Sequence, residues 1–352
     1  MALRVVHCGT GNMGKLGLKG VLNHPDLELV GHYVWSPEKV GVDSGTLCGV
    51  APTGVLATND WNALLDLGAD CLSYFGDALE GRERETIDHA LPFLERGTNV
   101  VSLSAFAVAH PATTAPELRD PIEAACRKGG SSMFFTGIDP GWATTDLAIA
   151  ALAPADRVDC VRVLELGWFG DYNSQYSLRE YFGFGKPKGF QPLLITGGAL
   201  MDLWAPTLEQ IAEVLGVQIE GWETLYETDC LDHDAQAGIG LIEAGTAACI
   251  HFELRAMAGG KPIAVVEHVD AVVRGAGKDW KKPYGPYDLI HRVEIEGDPS
   301  FSVEVGYPKG AAGKATVMPV INSIPAVCAA RPGLLGPLDI PRYWARNVRP
   351  IG

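Results

Sequence analysis

Short apolar runs alternate with amphipathic stretches through the first third of the chain, the pattern of βαβ units building a parallel sheet. Leu3 to Cys8 predicts a strand, Met13 to Leu22 a helix and Glu28 to Trp35 a second strand. Further strands are predicted at Asp70 to Tyr74, Thr98 to Leu103 and Met133 to Gly137, with helices at Arg82 to Glu95 and Pro121 to Lys128. These elements imply an α/β, doubly wound nucleotide-binding domain over residues 1–145. The texture then changes: Val158 to Trp168, Ala247 to Ala256 and Pro262 to Val273 are longer runs with partial alternation, and Leu203 to Leu215 has helical spacing. A second α+β domain on a mixed or antiparallel sheet, one face covered, is expected over residues 146–310. Ala311 to Ala330 is a helix former that opens a C-terminal segment, residues 311–352.

Composition narrows the partners. The 352 residues suffice for two domains, and 43 acidic against 28 basic residues, a net charge of −15, disfavour phosphate backbones and anionic membranes. Met1 to Val6 shows no leader pattern and no apolar run reaches the ~18 residues of a spanning helix. A soluble cytoplasmic protein with a small-molecule substrate and no nucleic-acid or membrane partner is expected. Apolar strand faces in the second domain suggest a homodimer. The eight cysteines are scattered singly and read as reduced, buried thiols. Asp232-His233-Asp234 invites a metal, but neighbours in an extended chain point to opposite faces, so no metal site is expected.

Glycine, at 42 residues, is the one excess, and it concentrates where strands give way to helices. Gly9-Thr10-Gly11-Asn12-Met13-Gly14 follows a hydrophobic strand and opens a helix, the context in which G-x-G-x-x-G cradles a dinucleotide pyrophosphate at the helix N-terminus. The second strand runs into Tyr33-Val34-Trp35-Ser36-Pro37-Glu38-Lys39 and carries no acid at its end to accept from a ribose hydroxyl. Ser36 and Lys39 suit a 2′-phosphate, which favours NADP; Glu38 argues the other way and leaves NAD open. Ser104, at the mouth of a later strand, joins the expected cofactor residues.

A hydride-transfer site needs polar groups at the carboxyl ends of the strands. The loop Leu103 to Pro111 holds no carboxylate or lysine, and His110 is its one strongly titratable group. After the next strand, Asp139-Pro140-Gly141-Trp142 forms a turn in which Asp139 either contacts substrate or caps the helix that follows. Tyr172 and Tyr176 lie in a glycine-rich aromatic stretch suited to walling a pocket, or equally to packing. Tyr172, His110 and Asp139 are the candidate catalytic groups; Trp142, Tyr176 and His268, beside Glu267 and Asp270, are the candidate substrate contacts. His251 and His268 both fall inside strand patterns, where a satisfied sheet histidine is the default.

Taken together, Gly9 to Gly14, Ser36 to Gly45, Gly137-Ile138-Asp139-Pro140-Gly141, Phe182-Gly183-Phe184-Gly185, Glu267-His268-Val269 and Asn322-Ser323-Ile324-Pro325-Ala326-Val327 resemble the dihydrodipicolinate-reductase-like proteins. That group includes 2,4-diaminopentanoate dehydrogenases and native amine dehydrogenases. The resemblance implies a Rossmann domain, a mixed-sheet dimerisation domain, a C-terminal segment returning to the first domain, and Asn322 near the cofactor. It also implies NAD(P)-dependent oxidative deamination or reductive amination. Amine dehydrogenases of this group place a glutamate in the loop that here reads Ala105-Phe106-Ala107-Val108. Two readings follow: an oxidoreductase at a C=N or C=O centre, or a nucleotide-binding sensor with a degenerate site.

Overall fold

The computed structural model describes residues 2–76 and 83–347 and divides them into two compact units, Met1–Trp142 with Gly313–Gly352, and Ala143–Ala312. The first unit contributes β1 (Leu3–Cys8), α1 (Asn12–Asn23), β2 (Leu27–Tyr33), α2 (Ser44–Cys48), β3 (Ala57–Thr58), α3 (Trp61–Leu65), β4 (Cys71–Tyr74), α4 (Glu83–Glu95), β5 (Asn99–Ser102), α5 (Pro116–Gly129) and β6 (Ser132–Phe135). The second holds α6 (Leu147–Ala151), β7 (Arg157–Trp168), α7 (Leu193–Thr196), α8 (Ala199–Leu215), β8 (Gly221–Cys230), β9 (Ala235–Ala237), β10 (Gly240–Ile242), β11 (Ala247–Ala258), β12 (Lys261–Ala271), β13 (Leu289–Asp298) and β14 (Phe301–Tyr307). The chain returns to the first unit through α9 (Ala312–Cys328) and β15 (Gly333–Leu335).

The first unit is a Rossmann sheet in the order β15-β6-β5-β4-β1-β2-β3, every neighbouring pair parallel. Strand order reverses between β1 and β4, so the crevice beyond their carboxyl ends is where such sheets take ligands. Both faces are covered, one by the cluster that includes Leu72, Ile87, Phe93 and Ile122, the other by Leu18, Val21, Val320 and Ile324. Burial on both faces explains why these strands read as continuous apolar runs.

The predicted strands and helices of this unit all form. Arg82, the expected start of α4, lies outside the described residues. Helix α5 begins at Pro116, five residues before the expected Pro121. Proline at the first helical position gives up an N–H that no helical partner would have used, so Pro116 is a start signal that the apolar spacing alone does not carry.

The second unit is built on a six-stranded mixed sheet, β14-β13-β7-β12-β11-β8, in which only β7 and β12 run parallel. One face packs under α8, where Trp204, Leu208 and Ile211 meet Phe252, Leu254 and Val266. The opposite face carries ions: Arg162 bonds Glu253 at 2.9 Å and Glu267 at 2.8 Å, and Lys281 bonds Glu267 and Glu294 at 3.0 and 2.8 Å. Strands β8, β13 and β14 were not expected from the sequence. Charged residues interrupt their apolar alternation because one side of each faces this ionic layer or solvent.

Candidate active site

The dinucleotide turn takes the shape its glycines require. Gly9 has φ +113°, and a Cβ there would lie 2.4 Å from the Phe75 carbonyl oxygen; a Cβ on Gly14 would lie 2.6 Å from the Gly9 oxygen. Only glycine fits either position. A Cβ on Gly11 would meet nothing within 4 Å, so the middle of the turn is open. Helix α1 starts at Asn12 with Gly11 as its cap, no side chain bonded to its leading N–H groups and no acid in its first turn. Those free donors and the positive end of the helix dipole suit a phosphate.

The residues expected to select the cofactor lie beside this turn. Lys39 Nζ donates to Thr10 Oγ1 at 3.1 Å, which draws the ammonium from the short helix after β2 onto the glycine loop. Among the described residues the Ser36 side chain makes no capping bond, so its hydroxyl is available. Ser104 is more committed, its hydroxyl donating to Gly76 O at 2.7 Å. Asn322, on α9, presents a buried Oδ1 with no hydrogen-bond partner among the described residues, an atom that a ligand amide or hydroxyl would satisfy. The turn, the lysine and this carbonyl together fit a phosphate-bearing dinucleotide.

The loop after β5 is packed rather than open. Ala105 and Val108 are fully buried, Phe106 meets Phe135 at 5.1 Å, and His110 Nδ1 lies 2.9 Å from the Thr113 hydroxyl in a local turn. Asp139 precedes a cis proline and has a buried carboxylate oxygen, while Trp142 N–H donates to Gly137 O at 2.9 Å. The segment after Asp139 opens as a π-helical turn, Trp142–Asp146.

In the second unit, Tyr172 and Tyr176 are 47 % and 42 % exposed, whereas Leu178 and Phe184 from the same stretch enter the core. That aromatic segment is therefore part core and part surface. His268 acquires companions the sequence did not offer. It lies in register with Glu165 of β7, which is itself in register with His291 of β13, so the three form a row across adjacent strands. His291 Nε2 donates to Glu165 Oε2 at 2.9 Å; His268 Nδ1 lies 3.9 Å from Glu165 Oε1 and 3.5 Å from Asp270 Oδ2. Phe252 stacks on the His268 ring at 4.5 Å and Trp204 meets it edge-on at 4.9 Å.

Glu267, the other expected neighbour of His268, points to the opposite face of the sheet, into the ionic layer. Glu165 and His291 sit more than 20 positions from His268 in sequence, and only strand pairing brings them together. Asp232 and His233 bond each other at 2.8 Å on the surface, while Asp234 accepts from Ala244 N–H.

Comparison with known proteins supplies a family context. The description 2,4-diaminopentanoate dehydrogenase C-terminal domain matches residues 204–349. An amine dehydrogenase of Streptomyces virginiae is 31% identical over 95% of this chain and 94% of its own length. A 2,4-diaminopentanoate dehydrogenase of Acetoanaerobium sticklandii is 26% identical over 73% of this chain and 70% of its own. Among solved structures, an amine dehydrogenase from Mycobacterium smegmatis matches with TM-score 0.75 at 21% identity, covering 99% of this chain and 98% of that one. A myo-inositol 2-dehydrogenase from Lactobacillus plantarum shares the fold at TM-score 0.53 and 11% identity, over 92% and 89% of the two chains.

Proposed function

The chain belongs to the amine dehydrogenase family, and on that premise we propose that it is an NADP(H)-dependent enzyme interconverting a small ketone plus ammonia with the corresponding amine. The near full-length similarity to an amine dehydrogenase carries this reading. The glycine turn with Lys39 beside it supplies the local chemistry. In the deaminating direction the balance is amine, water and oxidised dinucleotide to ketone, ammonia, reduced dinucleotide and a proton. When bound, the dinucleotide takes or gives the hydride at the amine-bearing carbon.

The protein's own residues bind, orient and handle protons. Gly9, Thr10, Gly11, Asn12, Met13 and Gly14 hold the pyrophosphate, Ser36 and Lys39 the 2′-phosphate, and Ser104 and Asn322 contact the remainder of the cofactor. Trp142, Tyr176 and His268 are the proposed substrate contacts, and Tyr172, His110 and Asp139 are the proposed proton-handling groups. The loop Ala105 to Val108 offers no carboxylate, so we assign the ammonium-facing acid to the Glu165–His268–Asp270 group, whose carboxylates stand within ion-pair distance of imidazoles. NADP is favoured over NAD because an ammonium stands at the glycine loop and β2 ends without an acid. The working form is proposed to be a homodimer in the cytoplasm; no helix among the described residues is long and apolar enough to cross a membrane.

Incubating the protein with NADPH and a panel of small ketones, with and without ammonium, tests the reading by the loss of reduced-nicotinamide absorbance. Oxidation that requires both ketone and ammonium is expected. Cofactor binding without oxidation under any condition would favour the sensor reading.

A further inference from the structure

Under the dinucleotide turn lies a polar row that the phosphate-binding motif does not itself contain. His7 on β1 is in register with His32 on β2 and with Ser73 on β4, and all three side chains have no exposure. A strand buried on both faces normally carries apolar residues at such positions. Here His7 Nε2 lies 2.9 Å from Gly14 O and 3.2 Å from Gly9 O, while Nδ1 lies 2.9 Å from the Ser73 hydroxyl. Both short carbonyl contacts fall on one nitrogen, and a carbonyl accepts only, so Nε2 carries the proton and Nδ1 accepts from Ser73. Burial, with His32 nearby, lowers the His7 pKa to about 3, which keeps the ring in this neutral form at ordinary pH. His32 lies against it, ring centroids 5.5 Å apart, with Nε2 3.4 Å from the same Gly9 oxygen.

We propose that His7, fixed by Ser73, is a positioning residue for the dinucleotide: it anchors the Gly9 and Gly14 carbonyls inward so that the turn's N–H groups face the ligand. In a trans peptide the C=O and the following N–H point in opposite directions. Holding the Gly9 carbonyl on His7 therefore turns the Thr10 N–H away from the protein interior, towards the phosphate side. The Gly14 contact pins the first turn of α1 to the same ring, so the helix end and the loop keep one spacing. An oxyanion site of this kind gains its strength from donors that need no reorganisation when the anion arrives, and His7 supplies that rigidity from below.

The inference rests on reading Gly9 to Gly14 as a dinucleotide turn, and the experiment separates the two. NADPH is titrated into the full chain by calorimetry, beside circular dichroism and thermal melts of each variant. Absence of NADPH binding by the unaltered protein overturns the reading of the turn. If it binds, His7→Leu, which keeps an apolar fill and deletes the donor, is expected to raise the NADPH Kd about tenfold, the scale of one lost hydrogen bond to a charged ligand's cradle. His7→Gln, whose amide nitrogen can reach the same carbonyls, is expected to restore most of the affinity. Ser73→Ala, a smaller change that releases Nδ1, is expected to weaken NADPH by about threefold while remaining folded, less than a full hydrogen bond is worth. At saturating NADPH the ketone KM should not move. A folded His7→Leu or Ser73→Ala protein with unaltered NADPH affinity overturns the proposal, as does a His7→Gln variant no better than His7→Leu.

Discussion

Lys39 is the residue on which the proposed preference for NADP rests. Its ammonium donates to the Thr10 hydroxyl on the glycine loop at 3.1 Å. Lys39→Ala is expected to raise the NADPH Kd about tenfold, as expected for one charge-assisted contact, and to leave NADH within about twofold; parallel calorimetric titrations with the two cofactors check it. The loop after β5 makes a second residue-scale prediction. Ala105 is fully buried and Ala107 is half-buried. A glutamate at 105 must place an unpaired carboxylate in the core, so Ala105→Glu is expected to destabilise by about 3 kcal/mol or more, whereas Ala107→Glu should fold. Denaturant melts of the two variants decide the point. At this scale the sequence was legible where chemistry needs a special backbone: Gly9, Gly11 and Gly14 announce themselves by spacing. His7 and Ser73 do not, because a single polar residue inside an apolar run carries no sign of what it bonds until the strands pair.

Strand pairing is what assembles the carboxylate–imidazole row of the second unit. Glu165, His268 and His291 come from β7, β12 and β13, and none is close to another in the chain. Alternation along β12 puts His268 and its sequence neighbour Glu267 on opposite faces of the sheet. The strands β8, β13 and β14 are not legible in the sequence for a related reason, since side chains such as Glu227, Arg292 and Glu304 break the apolar pattern where they face water or the ionic layer. If Glu165 faces the ammonium, Glu165→Gln is expected to lower kcat/KM for ammonia about a hundredfold, within the range of general acid–base catalysis. The NADPH Kd should be unchanged, and Glu165→Asp should recover part of the rate. Steady-state kinetics with ammonium as the varied substrate, beside NADPH titration, provide the check.

The buried histidines of the two units are expected to respond to pH in opposite senses. In the first, His7 and His32 have pKa values lowered by burial to about 3 and about 4, against 6.5 when free. Below pH 6.5 the unfolded chain binds protons that the folded one refuses, so this unit loses stability as pH falls from 6.5 towards 3. In the second, burial opposes charge on His251, but its bonds to Glu253, Glu267 and Glu227 prevail and raise its pKa to about 9. Its contribution is full below pH 6.5 and is lost as pH rises through about 9. Glu253, lowered to about 2 by His251, Arg162 and Arg255 against its own burial, keeps its contribution above pH 4.5 and loses it towards pH 2. Calorimetry from pH 5 to 9.5 should show an alkaline decline in melting temperature that His251→Gln removes and an acid decline that it leaves in place.

The proposed reaction makes and breaks a carbon–nitrogen bond at the expense of a nicotinamide dinucleotide. The most direct measurement is mass spectrometry of the product formed from a small ketone, NADPH and nitrogen-15 ammonium. A labelled amine formed mole for mole with NADPH consumed is expected, with nothing oxidised when ammonium is left out. An unlabelled alcohol produced with the same consumption of NADPH, or NADPH bound but unconsumed across the ketone panel, would contradict it.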